Sequence, residues 1–217
     1  VDDAIRAYQS LRDRMVCPER LLLFHARFTM GDRQQIEDEA LGRFGPGSGP
    51  KDRRGQVLVA TQVVEQSLDL DFDEMVTDLA PIDLLIQRAG RLHRHCRSAD
   101  GERVAGGIAD DRREPPMLRI LAPEWTAAPT QHWLKGLLPG TAAVYRDIGR
   151  MWLSCKVLRE AGGVMRLPDD ARVLVEGVYG PDVELPEGLQ WQGLTQEGEE
   201  RGRASIAGSN ALDLSRG

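Results

Sequence analysis

VLVATQVVEQSLDLDFDEMVTDLAP, residues 57–81, holds two apolar runs separated by a polar turn region. Val57–Ala60 is short and continuously apolar, as in a strand buried on both faces. Thr61 stands where a helix cap belongs, and Gln62–Ser67 reads as a short helix behind it. Glu74–Leu79 then reads as another strand. A strand, a short helix and a second strand within 25 residues set the expectation of an α/β fold.

The flanks extend the same alternation. Upstream, Ala4, Ile5, Tyr8, Leu11 and Met15 recur at helical spacing until Cys17-Pro18 ends that helix. Leu21–Phe24 is a second continuous apolar run, and Asp32–Phe44 reads as a helix. Between them and Val57 lies GPGSGPKDRRG, Gly45–Gly55, whose glycines and prolines predict a mobile loop. Downstream, Pro81 opens a helix that carries QRAGRLHRH, Gln87–His95, and Met117–Leu121 is a fourth strand. The pattern predicts a parallel sheet flanked by helices, with ligands at the carboxyl ends of the strands. His25–Arg27, Thr61–Gln66 and Ala80–Asp83 fall there. After residue 124 the pattern changes to a small helical segment. Val144, Ile148, Trp152, Cys155 and Leu158 predict one helix of about 20 residues, and Leu167–Gly180 a second with Asp169 and Asp170 near its N-terminus. From Pro181 the chain is rich in Gly and Glu and reads as a loose tail.

Composition narrows the classes. The 217 residues carry a formal net charge of -6, and 41% are hydrophobic, enough for a core. No apolar run approaches the roughly 20 residues that cross a bilayer, so no membrane association is expected. Cys17, Cys96 and Cys155 are odd in number and far apart, which suits a reducing cytoplasm. Beginning with Val1, the chain reads as a piece of something longer.

Within this acidic chain, Arg88, Arg91, Arg94 and Arg97 stand three residues apart behind Leu84, Leu85 and Ile86. On a helix of about 100° per residue, Gln87, Arg91 and Arg94 share one face, and Arg88 points elsewhere, toward a local ion pair or a nucleic-acid contact. Gly90 costs a helix about 1 kcal/mol and suggests close approach to the backbone. By itself the cluster suits a charged face on a surface helix.

LLLFHARFTMGDRQQIE (21–37), the 57–81 stretch and QRAGRLHRH resemble, in order and spacing, the last three groups of superfamily 2 helicase motifs. HARF, EQSLDLD and RLHRH are similar to the type I CRISPR-associated helicase-nucleases, and Ala143–Gly180 resembles the segment that follows the helicase core in that family. The resemblance covers about residues 1–180. It implies a second RecA-like domain over residues 1–124, lacking its first strand, a helical linker or C-terminal segment over 125–180, and a flexible acidic tail over 181–217. In such helicases two RecA-like domains sandwich ATP and single-stranded nucleic acid runs across both.

The resemblance implies roles residue by residue. Arg91 and Arg94 would reach the γ-phosphate of ATP held by the other domain, with Gln87 on the same phosphate or its water; arginine suits this because it is always ionised and bidentate. Thr61 would contact the nucleic-acid backbone with its hydroxyl and nearby amides, a role compatible with helix capping. Asp69 would approach the ribose, and Glu65, Gln66 and Ser67 would couple the nucleotide and DNA sites. His25 and Arg27 would line the DNA side, or serve as structural hydrogen-bonding groups. ATP and Mg2+ would be held mainly by the first RecA-like domain. The implied partners are single-stranded DNA, the first RecA-like and nuclease domains of the same parent, and a CRISPR RNA-guided surveillance complex.

Other chemistries fit less well. Asp69–Glu74 mimics the start of a calcium loop, but Glu74 stands where glycine is required and Ala80 where the bidentate glutamate belongs. His93, His95 and Cys96 would diverge on a helix, which disfavours a metal. The sequence contains no G-x-x-x-x-G-K-S/T loop, no D-E-x-H element and no paired His-Asp nuclease motif, so it is expected to supply part of an ATPase site and to be inactive alone. Two alternatives remain: an RNA helicase domain, distinguished by comparing DNA and RNA unwinding, and a non-catalytic RecA-like interaction module, against which the joint presence of Thr61, Gln87, Arg91 and Arg94 argues.

Overall fold

The computed structural model describes residues 1–65, 68–106 and 110–190. The chain divides into two compact units, Val1–Thr77 with Ile86–Arg119, and Asp78–Leu85 with Ile120–Gly217. Both are mixed helix and strand or mainly helical, in the α/β class expected.

In the first unit, α1 (Asp2–Arg12) has acidic residues in its first turn and Arg12 in its last, the polarity that the helix dipole favours. β1 (Leu21–Phe24) pairs in parallel with β2 (Val57–Ala60), with Leu21 opposite Val57 and Phe24 opposite Ala60. The Thr61 amide continues this ladder by donating to the Phe24 carbonyl at 3.1 Å. α2 (Met30–Phe44) starts earlier than the apolar spacing predicts, because Thr29 is its cap and accepts from the Asp32 amide. It stops at Gly45, where a Cβ would collide with the Leu41 carbonyl oxygen. The core gathers Leu22, Phe24, Ala40, Phe44, Leu68 and Leu70 between the strands and α2. Phe24 is wholly buried, a contribution of roughly 1.5–3 kcal/mol from one side chain.

Two expectations for this unit change. Gly45–Gly55 is not a free loop: it contains a short helix, α3 (Pro50–Arg53), and the carbonyls of Gly45 and Ser48 accept from the buried Arg97 guanidinium. Composition shows turn-forming residues but not the cation that captures their backbone. The strands also form no single sheet among the described residues; β3 (Glu74–Asp78) pairs with β4 (Met117–Leu121) in a second two-stranded sheet. Between β2 and β3, a 3-10 turn covers Gln62–Glu65, and Leu68–Asp73 follows with one bridge, Phe72 to Leu92.

α4 (Ile82–Ala89) follows Pro81 as expected, burying Ile82 and Leu85, but it ends at Ala89. The chain then turns through Gly90, and His93 takes a positive φ of 51°. The face shared by Gln87, Arg91 and Arg94 on a continuous helix therefore does not exist. The three-residue spacing of the arginines crosses the end of a helix and a turn, and does not mark a helix face.

The second unit rests on α5 (Pro139–Val144), α6 (Ile148–Glu160) and α7 (Ala171–Tyr179). The apolar stripe from Val144 to Leu158 spans two helices and not one, because Asp147 caps α6 by accepting from the Arg150 amide at 2.8 Å. α6 buries Ile148, Met151, Trp152 and Leu153. The Trp152 indole donates to the Thr126 carbonyl and stacks on Trp125 at 4.9 Å. α7 buries Leu174 and Val178, and Gly177 lets it approach Val157, where a Cβ would meet a methyl at 2.8 Å. Tyr179 donates to Asp83 at 2.8 Å; burial and then this carboxylate raise the phenol above its ordinary range. Leu189 is fully buried and anchors a segment that is otherwise mostly exposed; residues 191–217 of the expected tail lie outside the described residues. No helix of the described residues is long and apolar enough to cross a membrane.

Candidate functional site

Leu68–Asp73 and Arg88–Arg97 lie side by side, held by Phe72 and its neighbours. The Phe72 amide donates to the Arg91 carbonyl at 2.9 Å, and the His93 amide to the Phe72 carbonyl at 3.1 Å. Three of the four arginines find a partner on the facing segment, and Arg88 finds its partners just outside it. Arg88 meets the Glu65 carboxylate at 2.6 Å and the Thr77 hydroxyl at 2.6 Å. Arg91 donates to the carbonyls of Glu65, at 2.8 Å, and Leu68. Arg94 meets Asp69 at 2.7 Å, and Arg97 meets Asp71 at 2.6 Å.

Burial separates the four. Arg91 and Arg97 are buried, and Arg88 is largely covered. Burial, then the nearby Arg94 cation, lower the Arg91 guanidinium from its ordinary value. Arg94 differs: its side chain is 46% exposed and its partner Asp69 44% exposed. An ion pair that open to water contributes at most about 1 kcal/mol, so it exchanges readily. Gln87 sits exposed on α4, two residues before the helix ends.

Beneath this row lies a denser set of charges. Arg113 contacts Asp111 at 2.6 Å, Asp73 at 2.8 Å and Asp71 at 3.4 Å, and donates to the His95 carbonyl at 2.7 Å. Arg53 reaches Asp73 at 3.0 Å and Asp71 at 3.6 Å. Burial pulls the Asp111 carboxyl upward, but hydrogen bonds from Arg113 outweigh it and hold the group down at about 2. Burial likewise opposes the Arg113 charge, and its carboxylate partners raise it above the ordinary arginine value. His93 is pushed below its ordinary value by burial and then by Arg113. These buried ions are paired and hydrogen-bonded, the condition under which burial is tolerated.

The remaining residues singled out from sequence are dispersed around β1 and β2. The Thr61 hydroxyl takes no hydrogen bond among the described residues, so it is not observed as a side-chain cap. His25 is buried and stacks on Phe28 at 4.2 Å, while its Nδ1 accepts from the Arg27 amide. Arg27 is exposed and pairs with Asp2 at 2.6 Å. Gln66 and Ser67 lie outside the described residues. Among the described residues, no group of three or more His, Cys, Asp or Glu could hold a metal ion.

Sequence reasoning missed Arg53, Asp71, Asp73, Asp111 and Arg113. A signal existed for part of the set: Asp69, Asp71 and Asp73 alternate, which on an extended chain puts them on one side, facing arginines. Nothing local could bring Arg53 or Arg113 to them.

Residues 1–97 match the family model described as CRISPR-associated nuclease/helicase Cas3, C-terminal. The CRISPR-associated endonuclease/helicase Cas3 of Escherichia coli is 37% identical over 194 residues, covering 89% of this chain and 19% of that protein. The Thermus thermophilus protein of the same description is 39% identical over 174 residues, 78% of this chain and 16% of its own. Among solved structures, T. fusca Cas3 with ATP superposes with a TM-score of 0.75 at 31% identity over 97% of this chain and 22% of that one. A CRISPR RNA-guided surveillance complex before nicking contains a chain at TM-score 0.74 and 33% identity, again over 97% of this chain, and 24% of that one. The chain thus spans about a fifth of the length of the relatives it matches.

Proposed function

This chain belongs to the Cas3 helicase-nuclease family, corresponding to its C-terminal RecA-like region, and on that premise we propose that it supplies one side of an ATP-dependent, single-stranded-DNA translocase in CRISPR defence. The observation that carries the proposal is the difference between Arg94 and its three companions. Arg88, Arg91 and Arg97 are covered by their partners, whereas Arg94 is half exposed on a carboxylate that is itself half exposed. A γ-phosphate is a stronger competitor for a guanidinium than one solvated aspartate, because it offers more charge and several oxygens. The ATP-bound relative supports nucleotide as that competitor.

Each neighbour then has a task. Arg91 is the post: its two bonds to the Glu65 and Leu68 carbonyls fix the turn from which Arg94 projects. Gln87, exposed on α4, orients the phosphate or the attacking water. Arg94 meets the charge that builds on the transferring phosphoryl group, the part an arginine finger plays. Glu65 joins this side to the DNA side, since its carboxylate holds Arg88 and its backbone holds Arg91. Thr61 and Arg27 would touch the DNA backbone; the Arg27 pair with Asp2 is exposed and gives way to phosphate. His25, buried against Phe28, shapes that loop. Asp69 is engaged by Arg94 here and becomes available to a ribose when Arg94 turns to phosphate. The surveillance complex and the first RecA-like and nuclease domains complete the proposed partners.

The test is Arg94→Ala in the intact protein. DNA-stimulated ATP turnover should fall by a factor on the order of 10³, as for other arginine fingers, with single-stranded-DNA binding nearly unchanged. Normal turnover refutes the assignment.

A further inference from the structure

Asp69 has two partners on one oxygen. Its Oδ1 receives Arg94 Nε at 2.7 Å and His95 Nε2 at 3.1 Å. A carboxylate only accepts, so the His95 ring presents an N–H at Nε2. The three side chains differ in freedom: Arg94 and Asp69 are 46% and 44% exposed, but His95 only 15%. Its backbone is tied down as well, since the His95 carbonyl accepts from Arg113 at 2.7 Å, and Arg113 is held in turn by Asp111 and Asp73. His95 is the fixed member of the trio and Arg94 the member free to leave.

We infer that His95 is a positioning residue that acts on Arg94 through Asp69, keeping the carboxylate in place when the arginine exchanges it for phosphate. This rests on the phosphate-facing role proposed for Arg94. Without His95, the departure of Arg94 would leave Asp69 with no described side-chain donor to hold it in place before a ribose engages it. That anion would either follow the guanidinium and compete with the γ-phosphate, or remain unpaired beside it and repel it. A hydrogen bond from His95 removes both penalties: it satisfies Oδ1 and restrains the carboxylate. The effect belongs to the step in which Arg94 serves the transition state, so it is expected in turnover and not in ground-state nucleotide binding.

The experiment is steady-state ATP hydrolysis by the intact protein with saturating single-stranded DNA, with thermal melting of each variant alongside. His95→Ala should lower kcat on the order of tenfold, the rate equivalent of one charge-assisted hydrogen bond, with KM for ATP within about twofold. His95→Gln, whose amide can donate to the same oxygen, should recover most of the rate. In an Asp69→Ala background His95→Ala should cost nothing further, because the group it acts through is gone. The same tenfold loss in that background overturns the inference, as does full activity of His95→Ala. Should His95→Ala fail to fold, His95→Gln and His95→Phe replace it: retained rate in the first and loss in the second are expected, and equal rates overturn the inference. Arg94→Ala separates the two levels. Normal turnover there overturns the arginine assignment itself, whereas an inactive Arg94→Ala with additive His95 and Asp69 effects overturns only the role of His95.

Discussion

Arg97 and Asp71 meet with Nε 2.6 Å from Oδ2, and neither side chain has any exposure to solvent. The same guanidinium donates to the carbonyls of Ser48 at 2.8 Å, Gly101 at 3.0 Å and Gly45 at 3.3 Å. One side chain thus neutralises a buried carboxylate and closes two loops, a task that the planar fork of arginine suits and the point charge of lysine does not.

Arg97→Ala should therefore destabilise the protein by about 3–5 kcal/mol: Asp71 loses its nearest cation and keeps only the longer contacts to Arg113 and Arg53, and the carbonyls of Gly45, Ser48 and Gly101 lose their donor. Arg97→Lys should recover little of it. Removing both charges, Asp71→Leu with Arg97→Met, should still fall well short of the parent, because the Ser48 and Gly45 carbonyls lose their donor in either case. Denaturant midpoints of the three variants decide this; a double variant as stable as the parent would show that the loop contacts contribute nothing.

Acid should weaken the same region in two windows. His93 has its value lowered in the folded chain, so stability is complete above the unfolded value near 6.5 and declines as pH falls below it, where only the unfolded chain takes up the proton. Asp111 is held at about 2, below the ordinary 3.8, so its contribution is present above about 4 and is lost as pH falls through about 2. That contribution is on the order of 2 kcal/mol. Urea unfolding across the pH range should show both declines, with Asp111→Asn shrinking the lower one, to which the likewise depressed Asp73 also contributes, and His93→Gln removing the upper. An Asp111→Asn protein with an unchanged profile below pH 4 would contradict the assignment.

How far the sequence could be read follows from what each feature depends on. β1 and β2 are legible because each is a continuous apolar run, although only β1 is buried and β2 is half-buried throughout; α2 is legible except for its first turn, which the Thr29 cap sets. The arginine row was visible but misplaced. A three-residue period looks helical in one dimension, and only the end of α4 at Ala89 and the positive φ of His93 show that the arginines instead answer Glu65, Leu68, Asp69 and Asp71 across a gap. The network below was illegible because its members come from far along the chain: Arg53 and Arg113 converge on Asp71 and Asp73 from opposite directions in sequence. The same limit hid the fate of Gly45–Gly55, whose order depends on Arg97.

Thermal stability separates the two arginines that a helical reading would treat as equals. Arg91 is buried and its guanidinium serves backbone carbonyls of Glu65 and Leu68; Arg91→Ala leaves these without their donor. A covered carbonyl stripped of its partner costs about 1–3 kcal/mol, so Arg91→Ala should lower the melting temperature by several degrees. Arg94→Ala removes only an exposed pair with Asp69 and should change stability by less than about 1 kcal/mol. Thermal melting of the two variants is the check, and Arg91→Lys should fall between them, since an ammonium can reach one carbonyl but does not fork to two. Turnover should fall in both alanine variants for different reasons: in Arg94→Ala the charge is absent, and in Arg91→Ala it is present but projected from a turn that no longer holds its shape. The opposite order of stabilities would mean that Arg91 is not the post from which Arg94 works.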